Sequence, residues 1–147
     1  RFILRAQLAL PVAPAKTAPT QNHSLVGAKV LVIDDETLAR EAVAGALRDL
    51  GADVHMAANE DEATRAIAAF TPALLIMDLR IDGELQGINI ARRLTQALTP
   101  SPKTVVITGD TAADTLTLLR ESGFAWLIKP VDPALLAQTA AEMVSSP

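Results

Sequence analysis

The stretch VLVIDDETLAR, residues 30–40, carries the strongest structural signal in the chain. Four apolar residues, most of them β-branched, run directly into Asp34 and Asp35. A short, continuous apolar run of this kind is typical of a strand that is covered on both faces. The two carboxylates at its end are either part of a solvated loop or a group that is held together to bind something positive.

Four further apolar runs follow at regular intervals: ADVHMA (52–57), ALLIMD (73–78), KTVVIT (103–108) and AWLIK (125–129). Segments with helical periodicity separate them. The helices are predicted from about 37 to 50, from an N-cap at Asn59, from about 87 to 98, from a candidate cap at Thr111 to Gly123, and from an N-cap at Asp132. Five β-α units in about 120 residues predict a single α/β domain, in which a doubly wound parallel sheet carries helices on both faces.

Composition and charge exclude several classes of function. The chain has 147 residues, half of them apolar, which is enough for one domain with a substantial core. It has no cysteine, so disulfides and thiol chemistry are excluded. With 17 acidic and 13 basic residues, it gives no support for nucleic-acid binding. No apolar run approaches the ~20 residues of a membrane span, so no membrane contact is expected from this segment.

The first 26 residues differ from the rest. RFILRAQLAL (1–10) alternates apolar and other residues as an amphipathic strand does, and it lacks an initiator methionine, which indicates a fragment. PVAPAKTAPTQNHSLV (11–26) has the composition of a linker. A signal peptide is the alternative, but Arg5 and Gln7 interrupt its apolar stretch. We therefore expect 1–26 to be the end of a preceding domain plus a linker, and 27–147 to be the α/β domain.

Polar residues end four of the five predicted strands. Each has an ordinary explanation on its own, because acids cap helices, threonine-glycine forms turns and lysine-proline stops strands. In an open parallel sheet, however, ligands bind outside the carboxyl ends of the strands. Together these residues predict a site at that edge of the sheet, formed by Asp34, Asp35, Asp78, Thr108 and Lys129.

The pattern resembles the receiver domain of two-component response regulators. The segments that carry the resemblance are VIDDE (32–36), LLIMDLR (74–80), VVITGD (105–110) and LIKPVD (127–132), and the match covers roughly residues 27–145. The resemblance implies a flavodoxin-like (βα)5 fold with strand order 2-1-3-4-5. It also implies that the acids of the first and third strands lie side by side.

The same resemblance implies a role for each residue. Asp78 would accept a phosphoryl group from a histidine kinase domain or a histidine phosphotransfer protein. Asp34, Asp35, Asp78 and the backbone carbonyl of Arg80 would hold Mg²⁺, and Thr108 and Lys129 would contact the phosphoryl group. Physical chemistry agrees, because a hard divalent cation with oxygen ligands relieves the repulsion among clustered carboxylates.

Two features depart from the family pattern. Receivers usually place Tyr or Phe three residues before the lysine, as an aromatic that turns inward when the domain is phosphorylated. This chain has Trp126 there, which either takes that switching role or is a packing residue. After Asp78, many receivers have Met-Pro, whereas this chain reads DLRIDGELQG (78–87).

The N-terminal segment bears on the parent protein. RFILRAQLAL followed by a proline-rich linker resembles the final strand of a histidine-kinase ATP-binding domain. We therefore expect the C-terminal receiver of a bacterial hybrid sensor histidine kinase. The receiver would lie in the cytoplasm, although its parent can be membrane-anchored. The receiver would catalyse only its own phosphorylation and dephosphorylation, while enzyme turnover would belong to the kinase part.

Three alternatives remain. The first is a stand-alone or truncated response regulator that acts as a protein-binding module. The second is an aspartyl-phosphate hydrolase, which resembles the pattern Asp-x-Asp-x-Thr after the first strand, whereas the acids of DDET (34–37) are adjacent. The third is a degenerate receiver that takes no phosphate. The third is disfavoured because all five side chains of the predicted site are present.

Overall fold

Strands and helices alternate throughout residues 24–145, the part of the chain that the computed structural model describes. The elements are β1 (Lys29–Ile33), α1 (Thr37–Asp49), β2 (Asp53–Ala57), α2 (Glu60–Ala69), β3 (Leu74–Asp78), α3 (Gly87–Gln96), β4 (Lys103–Thr108), α4 (Ala113–Ser122), β5 (Ala125–Ile128) and α5 (Pro133–Ser145). These bounds agree with the predicted elements to within a few residues. Most of the predicted preceding domain and linker, residues 1–23, lies outside the described residues.

The five strands form one parallel sheet in the order β2-β1-β3-β4-β5. The predicted fold class and strand order are therefore confirmed. β1 lies directly beside β3, with Ile33 opposite Met77. Because parallel strands end at the same edge, this register places the residues that follow β1 next to the end of β3.

Both faces of the sheet are covered, which explains the continuous apolar runs. Val30 and Val32 pack on one face, in a cluster with Leu47 of α1 and Leu136 of α5. Leu31 and Ile33 point to the other face, in a cluster with the helices α2 and α3. A strand that alternates between two apolar layers has no solvent face. The first polar residue after the apolar run therefore marks the end of the strand.

Two of the predicted helix caps are confirmed. The side chain of Asn59 accepts a hydrogen bond from the N–H of Glu62 at 2.9 Å, and the Glu62 carboxylate accepts one from the N–H of Ala58 at 2.8 Å. The arrangement resembles a capping box, except that the Glu62 carboxylate bonds the N–H one residue before the cap. The carboxylate of Asp132 accepts a hydrogen bond from the N–H of Ala134 at 2.9 Å, just before Pro133 begins α5.

The predicted cap at Thr111 is wrong. Ala112 precedes the first residue of α4, and its side chain makes no capping hydrogen bond. The carboxylate of Asp110 instead accepts hydrogen bonds from the N–H of Ala112 and from the hydroxyl of Thr115, both at 2.9 Å. The first turn of α4 is thus held by the acid that precedes the threonine.

Within residues 24–145, the first core residue is Leu25, two residues before Gly27, where the domain boundary is predicted. The Leu25 side chain is buried, and its N–H donates to the carbonyl oxygen of Leu50 at 2.9 Å. Among residues 24–145, no helix combines the length and the apolar character that a membrane crossing requires.

Candidate functional site

The carboxylates predicted to form the site lie together at the carboxyl edge of the sheet. Asp34 and Asp35 follow β1, and Asp78 is the last residue of β3. One carboxylate oxygen from each of the three lies within 4.8 Å of the others. Asp34 and Asp78 are buried, whereas Asp35 is exposed. The adjacency of β1 and β3 in the sheet is the direct cause of this cluster.

Lys129 brings a positive charge into the cluster. It follows β5, and its N–H donates to the carbonyl oxygen of Thr108 at 2.8 Å, which continues the pairing of β4 with β5. Its Nζ atom lies 3.1 Å from Oδ1 of Asp78 and 3.7 Å from Oδ2 of Asp34. The structure therefore places Lys129 next to the acids, as the sequence predicted.

The electrostatic balance of the cluster favours a cation. Burial raises the pKa of Asp78 to about 6, the charge of Asp34 adds to this shift, and Lys129 opposes it. Burial also raises the pKa of Asp34, against the hydrogen bond that its carboxylate accepts from the N–H of Glu36. Burial alone would lower the pKa of Lys129, but the charge of Asp78, the hydrogen bond to it and the charges of Asp34 and Glu36 together outweigh burial, and the pKa is raised. One ammonium group does not offset the three acids.

The donor set fits a hard divalent cation. Three carboxylates are the oxygen ligands that Mg²⁺ prefers, and the exposed Asp35 leaves one side open to water, which Mg²⁺ retains in its shell. Arg80 lies two residues after Asp78 and borders the same cavity. The predicted ligand role of its backbone carbonyl stays a prediction.

A cavity of about 550 Å³ opens at this edge of the sheet. Its lining residues include Asp35, Asp78, Thr108 and Lys129 from the predicted site. Its rim includes Arg80 and Asp110, whose side chains sequence analysis did not single out. The cavity therefore joins the acid cluster to the loops that follow β3 and β4.

Thr108 is buried at the end of β4, and its hydroxyl is bonded to the backbone of Asp110. The hydroxyl accepts a hydrogen bond from the N–H of Asp110 at 2.9 Å and donates to the carbonyl oxygen of Asp110 at 3.2 Å. A threonine that contacts a group on Asp78 would have to give up the donated bond.

The loop after Asp78 contains a tight turn. Ile81 and Glu84 form an antiparallel bridge around Asp82 and Gly83, which both have positive φ values of 54° and 79°. Asp-Gly is a preferred pair for a two-residue turn of this type. The N–H of Asp82 donates to Oδ2 of Asp35 at 2.8 Å, so the turn is tied to the acid cluster. The Asp-Gly pair was the sequence signal that could have revealed this turn.

Gly87 sets the position of the backbone at Asp78. Its N–H donates to the carbonyl oxygen of Leu79 at 2.9 Å. A Cβ atom at this position would lie 2.3 Å from the carbonyl oxygen of Asp78 and 2.8 Å from Cα of Leu79. α3 can start this close to β3 only because residue 87 has no side chain.

Trp126 lies on β5 opposite Val106 of β4 and is partly buried. It packs against a small cluster that contains Val106 and Leu119, with Leu116 and Phe124 also at its edge. These contacts fit the packing interpretation of Trp126. Its movement on activation stays a prediction.

Residues 30–141 match the family model described as response regulator receiver domain. The chain is 33% identical over 112 residues to the positive alginate biosynthesis regulatory protein of Pseudomonas aeruginosa, which covers 74% of this chain and 44% of that protein. It is 28% identical over 110 residues to the regulator of RpoS of Escherichia coli, which covers 75% of this chain and 32% of that protein. The chain thus spans less than half the length of these two relatives.

Solved structures agree with the sequence matches. The receiver domain of NtrX from Brucella abortus superposes with a TM-score of 0.72 at 27% identity, over 80% of this chain and 99% of that one. A CheY-like response regulator receiver domain protein from Methanospirillum hungatei superposes with a TM-score of 0.70, over 80% of this chain and 93% of that one. At 22% identity, the second match shows the fold alone.

Proposed function

Because the chain belongs to the response regulator receiver domain family, we propose that it accepts a phosphoryl group from a phosphohistidine onto Asp78 in a Mg²⁺-dependent step. The observation that carries the proposal is the environment of Asp78. Its buried carboxylate lies 3.1 Å from the ammonium group of Lys129, inside a cluster of three acids at the mouth of a cavity. Asp34, the other buried acid of the cluster, lies farther from that ammonium group, at 3.7 Å, and is not among the residues that line the cavity.

Asp78 suits nucleophilic attack. In the transfer, a carboxylate oxygen of Asp78 forms a bond to phosphorus while the bond from phosphorus to the histidine nitrogen breaks and that nitrogen takes up a proton from solvent, which leaves an acyl phosphate and a neutral histidine. Asp78 must be ionised to attack, and Lys129 favours that form. Lys129 is also placed to pair with an oxygen of the transferred group as a point charge.

The acids around Asp78 are the ligands that we assign to the metal. Asp35 and Asp78 would bind Mg²⁺ directly, Asp34 would contribute through water, and the carbonyl of Arg80 would add a further oxygen. When it is bound, Mg²⁺ supplies the positive charge that offsets the acids and the transferring phosphoryl group. The buried position of Asp34 and Asp78 reduces the screening of their charges by solvent.

Phosphorylation would also switch the conformation of the domain. The hydroxyl of Thr108 now donates to the carbonyl oxygen of Asp110, and a phosphoryl oxygen on Asp78 would be a stronger, charged acceptor. Movement of Thr108 toward it would alter the end of β4, next to the cluster that contains Trp126. Phosphorylation would then favour one of two pre-existing states, and the packing around Trp126 would report the shift.

We infer that the donor is a histidine kinase domain or a histidine phosphotransfer protein in the cytoplasm. The N-terminal strand-like segment supports a hybrid sensor histidine kinase as the parent, whereas the relatives named as regulators support a response regulator. The sequence upstream of Arg1 distinguishes the two. A histidine-bearing dimerisation helix and asparagine- and glycine-rich ATP motifs would identify the hybrid kinase.

Labelling with a small phosphodonor tests the proposal. The protein is incubated with acetyl phosphate and Mg²⁺, and intact-protein mass spectrometry measures the addition of one phosphoryl group. We expect labelling of the wild-type protein that EDTA prevents, and no labelling of Asp78→Asn. Asp114→Asn, an exposed acid in the first turn of α4, is the matched control and should be labelled normally. Persistent labelling of Asp78→Asn, or no labelling of the wild-type protein, would overturn the assignment.

A further inference from the structure

An ion pair between Arg80 and Asp110 spans the rim of the cavity. Nη2 of Arg80 lies 3.3 Å from Oδ2 of Asp110, and both residues line the cavity with Asp78 and Lys129. We propose that Arg80 is a second phosphoryl-binding residue and that Asp110 masks it while Asp78 is unmodified. This inference rests on the proposed function of Asp78 and adds to it a side chain that determines affinity for the phosphoryl group.

Chain geometry places Arg80 on the same side as Asp78. The N–H of Leu79 donates to the carbonyl oxygen of Ile107 at 2.8 Å, so the pairing of β3 with β4 continues for one residue past Asp78. Leu79 is buried in the cluster beneath α3 and α4. Since successive side chains of an extended segment point to opposite faces, Arg80 returns to the face of Asp78. Its guanidinium group accordingly borders the cavity.

The bonds that hold Arg80 in place are weak enough to be exchanged. Its side chain is 49% exposed and that of Asp110 is 32% exposed, and exposed ion pairs contribute little in water. The second bond of the guanidinium runs from Nη1 to the carbonyl oxygen of Gly83 at 3.0 Å. A guanidinium group has five donors, and a phosphoryl group offers it two charged acceptors at once. The phosphoryl group is therefore the stronger partner.

Asp110 can release Arg80 without losing its other partners. One of its carboxylate oxygens accepts the N–H of Ala112 and the other accepts the hydroxyl of Thr115, both at 2.9 Å. These bonds belong to the start of α4 and do not depend on Arg80. An Asp110 carboxylate that is already satisfied is a partner that Arg80 can leave at small cost.

The charge balance of the site favours movement of Arg80 toward a phosphorylated Asp78. The acid cluster and the cavity lining together carry four carboxylates, from Asp34, Asp35, Asp78 and Asp110, against the cations of Lys129 and Arg80. A phosphoryl group on Asp78 adds negative charge at the position that Lys129 alone now contacts. Arg80 is the further cation that lines this cavity.

Phosphorylation by acetyl phosphate tests the inference through two substitutions of opposite expected effect. A carboxylate oxygen of Asp78 forms the bond to phosphorus, the bond from phosphorus to the acetate oxygen breaks, and acetate leaves. Mass spectrometry follows the rate as a function of acetyl phosphate concentration. Arg80→Ala should lower the second-order rate constant by about tenfold, because one charged hydrogen-bonding group is lost. Arg80→Lys should recover part of the loss, since it restores charge without the planar fork.

Asp110→Asn should act in the opposite direction. The asparagine oxygen can still accept the N–H of Ala112, but its neutral side chain no longer holds Arg80, so we expect a rate several-fold above that of the wild-type protein. In the double variant Arg80→Ala/Asp110→Asn this gain should vanish. Arg120→Ala, an exposed arginine in the last turn of α4, removes the same charge as a control.

The outcomes separate the inference from the proposed function. If the wild-type protein is labelled but Arg80→Ala is labelled as fast, only the inference is wrong. If Arg80→Ala and Asp110→Asn slow the reaction equally, Arg80 merely holds the two loops together and the inference is again wrong. An unlabelled wild-type protein overturns both. Arg80→Gln, which keeps most of the aliphatic stem, replaces the alanine variant if circular dichroism shows that the latter is unfolded.

Discussion

Asp78 and Asp110 sit at the ends of neighbouring strands, yet their carboxylates have opposite properties. Asp78 is 8% exposed, and burial raises its pKa to about 6. Asp110 lies on the rim, where the N–H of Ala112 and the hydroxyl of Thr115 lower its pKa. The same residue type, at the same edge of the sheet, is thus a destabilised anion in one loop and a stabilised anion in the other.

The difference lies in which groups surround each carboxylate. Two of the donors to Asp110 come from the next five residues of the chain, so most of its environment forms locally with the start of α4. Asp78 has Lys129 as a partner and two further acids beside it, all from other strands. A poorly compensated carboxylate suits a group that must react and bind a cation. A fully bonded one suits a group that fixes a loop.

Of the substitutions discussed, replacing Asp78 by Asn should change the free energy of unfolding the most, because it removes the poorly compensated carboxylate. A carboxyl group whose pKa rises on folding destabilises the folded protein when it is ionised, so wild-type stability should fall as the pH rises from about 4 through about 6. The rise from 3.8 to about 6 corresponds to about 3 kcal/mol. In EDTA at about pH 8, Asp78→Asn should therefore raise the free energy of unfolding by up to ~3 kcal/mol, and the gain should vanish below about pH 4. Urea denaturation measures both values.

The matched substitution Asp110→Asn should show the reverse trend. A carboxyl group whose pKa is lowered on folding stabilises the protein when it is ionised, and that stability is lost as the pH falls through the lowered pKa. Asp110→Asn should consequently be no more stable than the wild-type protein at neutral pH. A neutral-pH gain for Asp110→Asn, or none for Asp78→Asn, would contradict the assignment of the two environments.

The positions of the site residues could be predicted from the sequence, because they follow from two periodic patterns. Alternating apolar runs and helices predict a parallel sheet, and in such a sheet the last residue of each strand lies at one edge. Asp34, Asp35, Asp78, Thr108 and Lys129 were found in this way, and the strand order that the family resemblance implied is the one observed. Their burial could not be predicted, since it depends on contacts between residues far apart in the chain.

The error at Thr111 has a related cause. Asp110 and Thr111 are adjacent, and both residue types are good helix caps. The backbone path into α4 decides which side chain reaches the free N–H groups, and in this structure the Asp110 carboxylate reaches the N–H of Ala112 while the Asp110 N–H is bonded to the hydroxyl of Thr108. For the same reason, the sequence did not reveal Asp110 as the partner of Arg80.

Alanine substitutions at two glycines compare the backbone near Asp78 with the backbone next to Asp110. They should give the next largest change in the free energy of unfolding. A Cβ atom at Gly87 would overlap the backbone at Asp78, at 2.3 Å from its carbonyl oxygen, whereas one at Gly109 would come no closer than 3.9 Å to Cδ of Lys129. Gly87→Ala should lower the free energy of unfolding by about 1–3 kcal/mol, because the backbone must shift to make room. Gly109→Ala should change it by less than about 0.5 kcal/mol. Urea denaturation of the two variants at neutral pH provides the comparison.

Equal losses for the two variants would show that the backbone near Asp78 adapts as easily as the loop after β4. Sequence alone could not distinguish these glycines. Gly87 is the first residue of α3, where glycine is unremarkable, and its requirement comes from the backbone of β3, against which the helix starts. A close approach between two backbones leaves no pattern in either segment.

Mg²⁺ should stabilise the folded protein through the acid cluster around Asp78 and not through the loop at Asp110. The expected gain in stability is smaller than the effects of the substitutions above. A ligand that binds only the folded protein stabilises it by about 1.4 kcal/mol at ten times its dissociation constant. We expect Mg²⁺ to raise the thermal midpoint of the wild-type protein accordingly and to have little effect on Asp35→Ala. Asp35 is the exposed member of the acid cluster, so its removal should disturb the apo protein little and should report mainly on the metal.

The control for the metal is Asp114→Ala, in the first turn of α4 beyond Asp110. It removes the same charge from the β4–α4 region, where carboxylates serve the helix start rather than the cluster, and it should keep the full Mg²⁺ response. Calcium chloride at equal concentration shows whether the response is particular to the smaller ion. If Asp35→Ala and Asp114→Ala lost the response equally, Mg²⁺ would be acting through net charge alone. Asp35 would then not be a specific Mg²⁺ ligand.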